Sequence, residues 1–304
     1  MKQFLLFFCI TCSLTSLGQA AGDTVYKPVV YPKGYEAQID LVYTKLGDWE
    51  GKLDLYFAQN PSKPTPLIIN IHGGGWNHGV KEGQGGFNPY FKSGFAVANI
   101  EYRLTGQAKA PAAIEDTRCA LIYLVNNAKR FNIDPKQIIF LGGSAGGHLA
   151  LMGGLLGNNP IFDSNCKNGL PFKVVAIIDK YGINDVGDWA YGPNITSKSA
   201  TNWLGDKAKD DAFIKAVSPI SYVTKNSPPI FIVHGNADPT VSYQQSVSLH
   251  KKLLELGVKT EFITIEGGVH GKFSKEQNDD INKRILQFLE EINVSMSTKK
   301  IEIN

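Results

Sequence analysis

Ser144 stands in Leu141-Gly142-Gly143-Ser144-Ala145-Gly146-Gly147, a G-x-S-x-G pattern between an apolar run, Gln137–Leu141, and a helical pattern. That context predicts a sharp strand-to-helix turn that lifts the serine hydroxyl into the open as a nucleophile. Glycine is needed on both sides, because a Cβ there would meet the neighbouring strand and helix. The helix N-terminus behind it favours developing negative charge. A serine nucleophile needs a base and an acid. Asp238 follows the apolar run Pro229–Val233, and His270 follows Glu261–Ile265 within Gly267-Gly268-Val269-His270-Gly271. The chain order Ser144, Asp238, His270 is one of the known orders of a Ser-His-Asp triad. In Ile71-His72-Gly73-Gly74-Gly75-Trp76 the bare glycines expose backbone N–H groups. Gly74, Gly75 and Ala145 are the expected donors to a tetrahedral oxyanion, where one lost donor costs about 3 kcal/mol.

Each piece alone has a plainer reading: a glycine-rich corner, a turn aspartate, a surface histidine. Their agreement, each after a strand, points to acyl transfer. His72 is expected to orient the glycine loop by hydrogen bonds, and His148 to be structural. His78, His234 and His250 show no partner spacing. There is no H-x-x-x-H pair, no C-x-x-C beyond Cys9 and Cys12 in the N-terminal apolar stretch, and no G-x-G-x-x-G in a dinucleotide-binding context, so neither a metal nor a cofactor is expected. Glu115 and Asp116 read as a solvated helix face rather than an acid/base pair.

The elements that must position these residues alternate. Gln38–Lys45 and Lys52–Ala58 alternate apolar and polar residues, predicting an antiparallel hairpin. Continuous apolar runs at Pro66–Ile71, Ala96–Ile100, Gln137–Leu141, Val174–Ile178, Pro229–Val233 and Glu261–Ile265 suit strands buried on both faces of a parallel sheet. Helical patterns lie between them, over Ala112–Phe131, Ser144–Leu156, Val241–Leu256 and Asp279–Ile292. The predicted fold class is α/β: a doubly wound, mostly parallel sheet with an N-terminal antiparallel hairpin. Residues 185–219 break the rhythm with Trp189, Tyr191 and Trp203 among Gly and Pro, and read as a small insertion over the sheet.

The 304-residue chain is 43% hydrophobic with a net charge of +3, which excludes a disordered polar chain. Basic residues are adjacent at most in pairs, such as Lys299-Lys300 near the end, and form no larger cluster, so nucleic acid is not an expected partner. Residues 1–20 have a positive start, an apolar stretch and a small-x-small ending at Ala20. They read as a cleavable signal peptide, with 21–304 one domain whose core runs from about 38 to 292. A secreted or periplasmic location follows. A membrane span is the weaker reading, because the apolar stretch is shorter than about 20 residues and carries Thr and Ser. Acylation at Cys9 or Cys12 is also weaker, since neither follows the small residue expected. Of the cysteines, Cys119 and Cys166 then remain. They either form one bridge in an oxidising compartment or, as favoured here, leave Cys119 a plain core residue in an apolar helical pattern.

H-G-G-G-W together with G-G-S-A-G-G resembles the α/β-hydrolase superfamily. It is similar to the hormone-sensitive-lipase-like esterases and to the related secreted bacterial carbohydrate esterases of acetyl-xylan and feruloyl type. The resemblance covers most of the chain, from about Gln38 to Ile292. It implies Ser144 as nucleophile, Asp238 as acid, His270 as base, and Gly74, Gly75 and Ala145 as the oxyanion hole. Two departures favour the compact carbohydrate-esterase branch: a short stretch where a substantial cap would precede the first strand, and Gly143 where Asp is frequent. The implied activity is a serine carboxylic-ester hydrolase deacylating short-chain or aromatic esters of plant polysaccharide, acting on small-molecule or polysaccharide esters. Trp76, Trp189, Tyr191 or Trp203 would line a shallow cleft and stack on sugar or feruloyl rings, although ordinary packing explains them equally. The competing readings are a serine peptidase of prolyl-oligopeptidase type, which usually carries a propeller domain, and a non-catalytic carbohydrate-binding protein on a hydrolase scaffold.

Overall fold

The computed structural model describes residues 25–59 and 61–296; the predicted signal peptide lies outside them. Strands β1 (Tyr35–Leu46) and β2 (Trp49–Ala58) form the expected antiparallel hairpin. Then follow β3 (Thr65–Ile71), α1 (Asn88–Lys92), β4 (Ala96–Ile100), α2 (Ala112–Asn126), β5 (Ile133–Gly143), α3 (Ala145–Leu155) and β6 (Val174–Lys180). The excursion over 185–219 holds three short helices, α4 (Val186–Tyr191), α5 (Lys198–Leu204) and α6 (Asp211–Ala216). Strand β7 (Ile230–Gly235), α7 (Tyr243–Glu255), β8 (Thr260–Ile265) and α8 (Lys275–Glu291) complete the alternation.

The eight strands form one sheet in the order β1-β2-β4-β3-β5-β6-β7-β8. From β4 to β8 every neighbouring pair is parallel, and β2 joins β4 antiparallel. Period-two alternation sends each strand's apolar residues to both faces. Leu67, Ile69, Ile177, Ile230 and Ile232 pack with α2, α3 and α7 on one side. Ile68, Val97, Ile139, Ile178, Phe231 and Val233 pack with α1 and α8 on the other. Burying both faces of five central strands is the dominant favourable contribution to folding, at about 25 cal/mol per Å² of apolar surface. It also fixes the C-terminal strand ends along one edge, where open α/β sheets hold ligands.

Several expectations shift. The helix expected from Asp279 begins at Lys275, because Ser274 and Gln277 make a reciprocal capping box. The helix expected from Val241 begins at Tyr243, after Ser242 caps the Gln244 N–H. Helix α2 ends at Asn126 rather than Phe131. Asp116 is no solvated residue. It is fully buried, accepting the Arg103 guanidinium at 2.8 Å and the Arg103 N–H at 2.7 Å. Cys119 does lie in the core, but not as a free thiol: it is bonded to Cys166, with Cα atoms 4.9 Å apart.

Candidate active site

Ser144 occupies the turn between β5 and α3 with φ +57° and ψ −125°, a strained conformation for a residue with a Cβ. The strain is held from both sides. The Ser144 N–H donates to the Lys180 carbonyl on β6 at 2.9 Å, and the Ser144 carbonyl accepts from the His148 N–H at 3.1 Å. The turn closes because Gly142 and Gly146 have no side chains. A Cβ on Gly142 would lie 2.2 Å from the Gly146 carbonyl, and one on Gly146 would lie 2.2 Å from the Ile71 carbonyl.

His270 reaches this turn from the loop after β8. Its Nε2 lies 2.8 Å from Ser144 Oγ, and its Nδ1 lies 2.6 Å from Asp238 Oδ2. Tyr181 packs edge-on against the imidazole with ring centroids 4.9 Å apart, limiting its rotation. Asp238, from the loop after β7, has a fully buried carboxylate. Burial by itself would raise its pKa. Hydrogen bonds from His234, from His270 and from the backbone N–H groups of Thr240 and Val241 outweigh that and hold the carboxyl far below the usual range. It is therefore a fixed anion that keeps the proton on His270 Nδ1, leaving Nε2 as an acceptor for the Ser144 hydroxyl proton.

The glycine loop after β3 sits beside Ser144. Gly74 and Gly75 have φ of +110° and +56°, backbone that disfavours a Cβ. Among the described residues, the N–H groups of Gly74, Gly75 and Ala145 have no protein acceptor. His72 anchors the loop as expected, donating from Nδ1 to the Gly73 carbonyl at 2.7 Å and stacking on Tyr102. Burial pulls its pKa down to about 4, so the ring stays neutral. His148 is structural, donating to the Val217 carbonyl at 2.8 Å.

The aromatics divide. Trp189 lines the cleft, with its indole N–H fixed on the Thr240 carbonyl at 2.9 Å. Trp76 does not line it. It is fully buried beneath the glycine loop, stacked on Trp203 at 4.2 Å, because the loop turns its side chain into the core. Tyr191 is half exposed outside the cleft, and its hydroxyl donates to the Ala208 carbonyl at 2.5 Å. The cleft of about 640 Å³ is lined instead by Phe87, Tyr90, Tyr181, Trp189 and a set of Ser, Thr, Asn and Gln side chains.

Two residues at the site were given no role from the sequence, and the reading that His234 has no partner spacing is corrected. His234, at the end of β7, is fully buried with Nε2 3.1 Å from Asp238 Oδ2 and Nδ1 2.8 Å from Ser246 Oγ. Its spacing of four from Asp238 was the available signal, but only the loop's fold turns the two side chains together. Lys180 lines the cleft on the strand beside the nucleophile.

Residues 53–253 match the family described as BD-FAE. The chain belongs to the BD-FAE family. Its fold is that of the α/β-hydrolases. This BD-FAE chain is 27% identical over 219 residues to Esterase LipC of Mycobacterium tuberculosis, covering 69% of this chain and 54% of that protein. It spans about half the length of the curated relatives LipC and LipQ, at 54% and 55% of each. Among solved structures, a truncated form of a carbohydrate esterase from gut microbiota is 29% identical with a TM-score of 0.74, covering 85% of this chain and 99% of that one. A bifunctional GH43-CE protein of Bacteroides eggerthii is 26% identical with a TM-score of 0.71, covering 84% of this chain and 38% of that one.

Proposed function

We propose that this BD-FAE chain is an exported serine carboxylic-ester hydrolase that removes short-chain or aromatic acyl groups from plant polysaccharide. The observation that carries the reading is the relay from Ser144 through His270 to Asp238, at 2.8 and 2.6 Å, opening on a cleft beside three N–H groups without an acceptor among the described residues. His270 takes the Ser144 proton as Oγ attacks the ester carbonyl. The oxyanion rests on the N–H groups of Gly74, Gly75 and Ala145. His270 then protonates the departing alcohol, leaving an acyl-Ser144 ester. Water, deprotonated by His270, attacks that ester and frees the acid.

The carbohydrate part of the reading is supported by the solved relatives described as carbohydrate esterases and by hydroxyl and amide groups lining the cleft. Export is supported by the Cys119–Cys166 bridge, a bond that persists in oxidising compartments. The test is turnover of p-nitrophenyl acetate, acetylated xylan, methyl ferulate and a peptide panel by the wild type and Ser144→Ala. Ester turnover that vanishes in the variant is expected. Activity retained in Ser144→Ala, or peptides cleaved faster than esters, overturns the reading.

A further inference from the structure

The cleft beside Ser144 carries an uneven set of charges. Among the described residues lining it there is no Asp or Glu, and Lys180 is the only Lys or Arg. Lys180 is half-buried and makes no side-chain hydrogen bond or ion pair with any described residue, whereas the fully buried Lys81 is met by Asp40, Asp54 and Glu82. Burial pulls the Lys180 pKa down to about 8, the cost of an ammonium placed there with no counter-ion.

The sheet decides where this side chain emerges. Ile178, two residues earlier on β6, packs with Phe231 and Phe288 on the α8 side. Asp179 faces the other way, against Gly147 and Gly182. Alternation therefore brings Lys180 out on the α8 side at the C-terminal end of β6, beside Gly143 in register and one residue from the nucleophile. The same wall of the cleft carries Asn278 and Asn282, one turn apart on α8, and Tyr90. Asn282 Oδ1 accepts the Tyr90 hydroxyl at 3.1 Å, which orients its NH₂ group away from that bond, and that group has no acceptor among the described residues. An uncompensated ammonium and an unused amide donor on one wall match a carboxylate, which accepts on two oxygens.

We propose that this wall, centred on Lys180 with Asn282 beside it, is a carboxylate-binding subsite, so that the preferred ester substrate carries a carboxylate a few bonds from its scissile carbonyl. The proposal rests on the ester-hydrolase reading and names the substrate class of the same site. The carboxylate has two chemical sources. It can belong to the alcohol, as in an O-acylated uronic acid, or to the acyl group, as in the half-ester of a dicarboxylic acid.

The experiment compares kcat/KM within matched pairs for wild type, Lys180→Met and Lys180→Arg. One pair is methyl galactopyranoside monoacetate against the corresponding galacturonate monoacetate. The other is p-nitrophenyl butyrate against p-nitrophenyl hemisuccinate. Wild type is expected to favour the anionic member of one pair by about tenfold or more, carried mainly in KM. Lys180→Met should abolish that preference and Lys180→Arg should restore part of it. The pair that responds identifies the source. No anionic preference in either pair, or a Lys180→Met variant in which anionic and neutral substrates fall together, overturns the proposal. Calorimetric binding of galacturonate and succinate, against galactose, to wild type and Lys180→Met separates the two readings. If no ester is hydrolysed, the hydrolase reading fails, yet binding of either anion that is lost in Lys180→Met still supports the subsite. If neither anion binds and esters are hydrolysed without charge preference, the subsite alone fails.

Discussion

Replacing Asp238 by Asn changes almost no volume but reverses the hydrogen-bond logic of the triad. Asp238 Oδ1 accepts from the backbone N–H groups of Thr240 at 2.7 Å and Val241 at 3.0 Å. Those two donors hold the oxygen of an asparagine at the same place. Its NH₂ group then falls where Oδ2 now meets His270 Nδ1 at 2.6 Å and His234 Nε2 at 3.1 Å. A donor facing His270 Nδ1 demands a lone pair there, so the proton moves to Nε2 and is offered to Ser144 Oγ. His270 then cannot accept the serine proton. A triad held in the wrong tautomer loses about 10⁴ in kcat, or about 5.5 kcal/mol of transition-state stabilisation. The assay is the kcat for p-nitrophenyl acetate, with thermal unfolding and circular dichroism to show that the variant is folded. A folded Asp238→Asn variant within about tenfold of wild-type kcat would refute the assignment of Asp238 as the group that sets the His270 tautomer.

The Cys119–Cys166 bridge closes a separation of 47 residues, which constrains the unfolded chain by about 4 kcal/mol. Reduction, or the double Cys→Ala variant, is therefore expected to lower the melting temperature by roughly 10 °C, and a midpoint unchanged in both would contradict that contribution. Asp179, on β6 behind α3, is fully buried, and burial raises its pKa from 3.8 to about 7. Its folded-state pKa is raised, so its contribution to stability is full below about pH 4 and is lost as the pH climbs through 7, a swing on the order of 4 kcal/mol. Asp179→Asn removes that swing. Urea unfolding at about pH 4 and about pH 9 should therefore show the variant gaining on the wild type as the pH rises, and a difference that does not change with pH would be evidence against a buried, protonated Asp179.

Geometry carried by local backbone was legible in the residues alone. The Ser144 turn needs glycine at 142 and 146 because main chain passes within contact there, and that demand appears as a short motif after an apolar run. The hairpin, the parallel strands and the Ser-Asp-His order follow from periodicities of two and 3.6 and from loops placed past strand ends. Side-chain direction and long-range pairing were not legible. Trp76 looked like a cleft aromatic, but the positive φ at Gly74, Gly75 and Trp76 itself rolls it under the loop onto Trp203. Cys119 read as a core residue, and only the packing of the 160s segment against α2 brings Cys166 to it. Asp116 read as solvated until the chain after β4 laid Arg103 across it. Lys180 and Asp179 are neighbours with opposite fates. One faces the cleft and one is sealed behind α3, because strand register in a two-sided sheet assigns adjacent residues to opposite faces. The motif and its order are properties of the chain. Which face each charge meets is a property of the packed sheet, since burial and partners exist only once distant segments share one core.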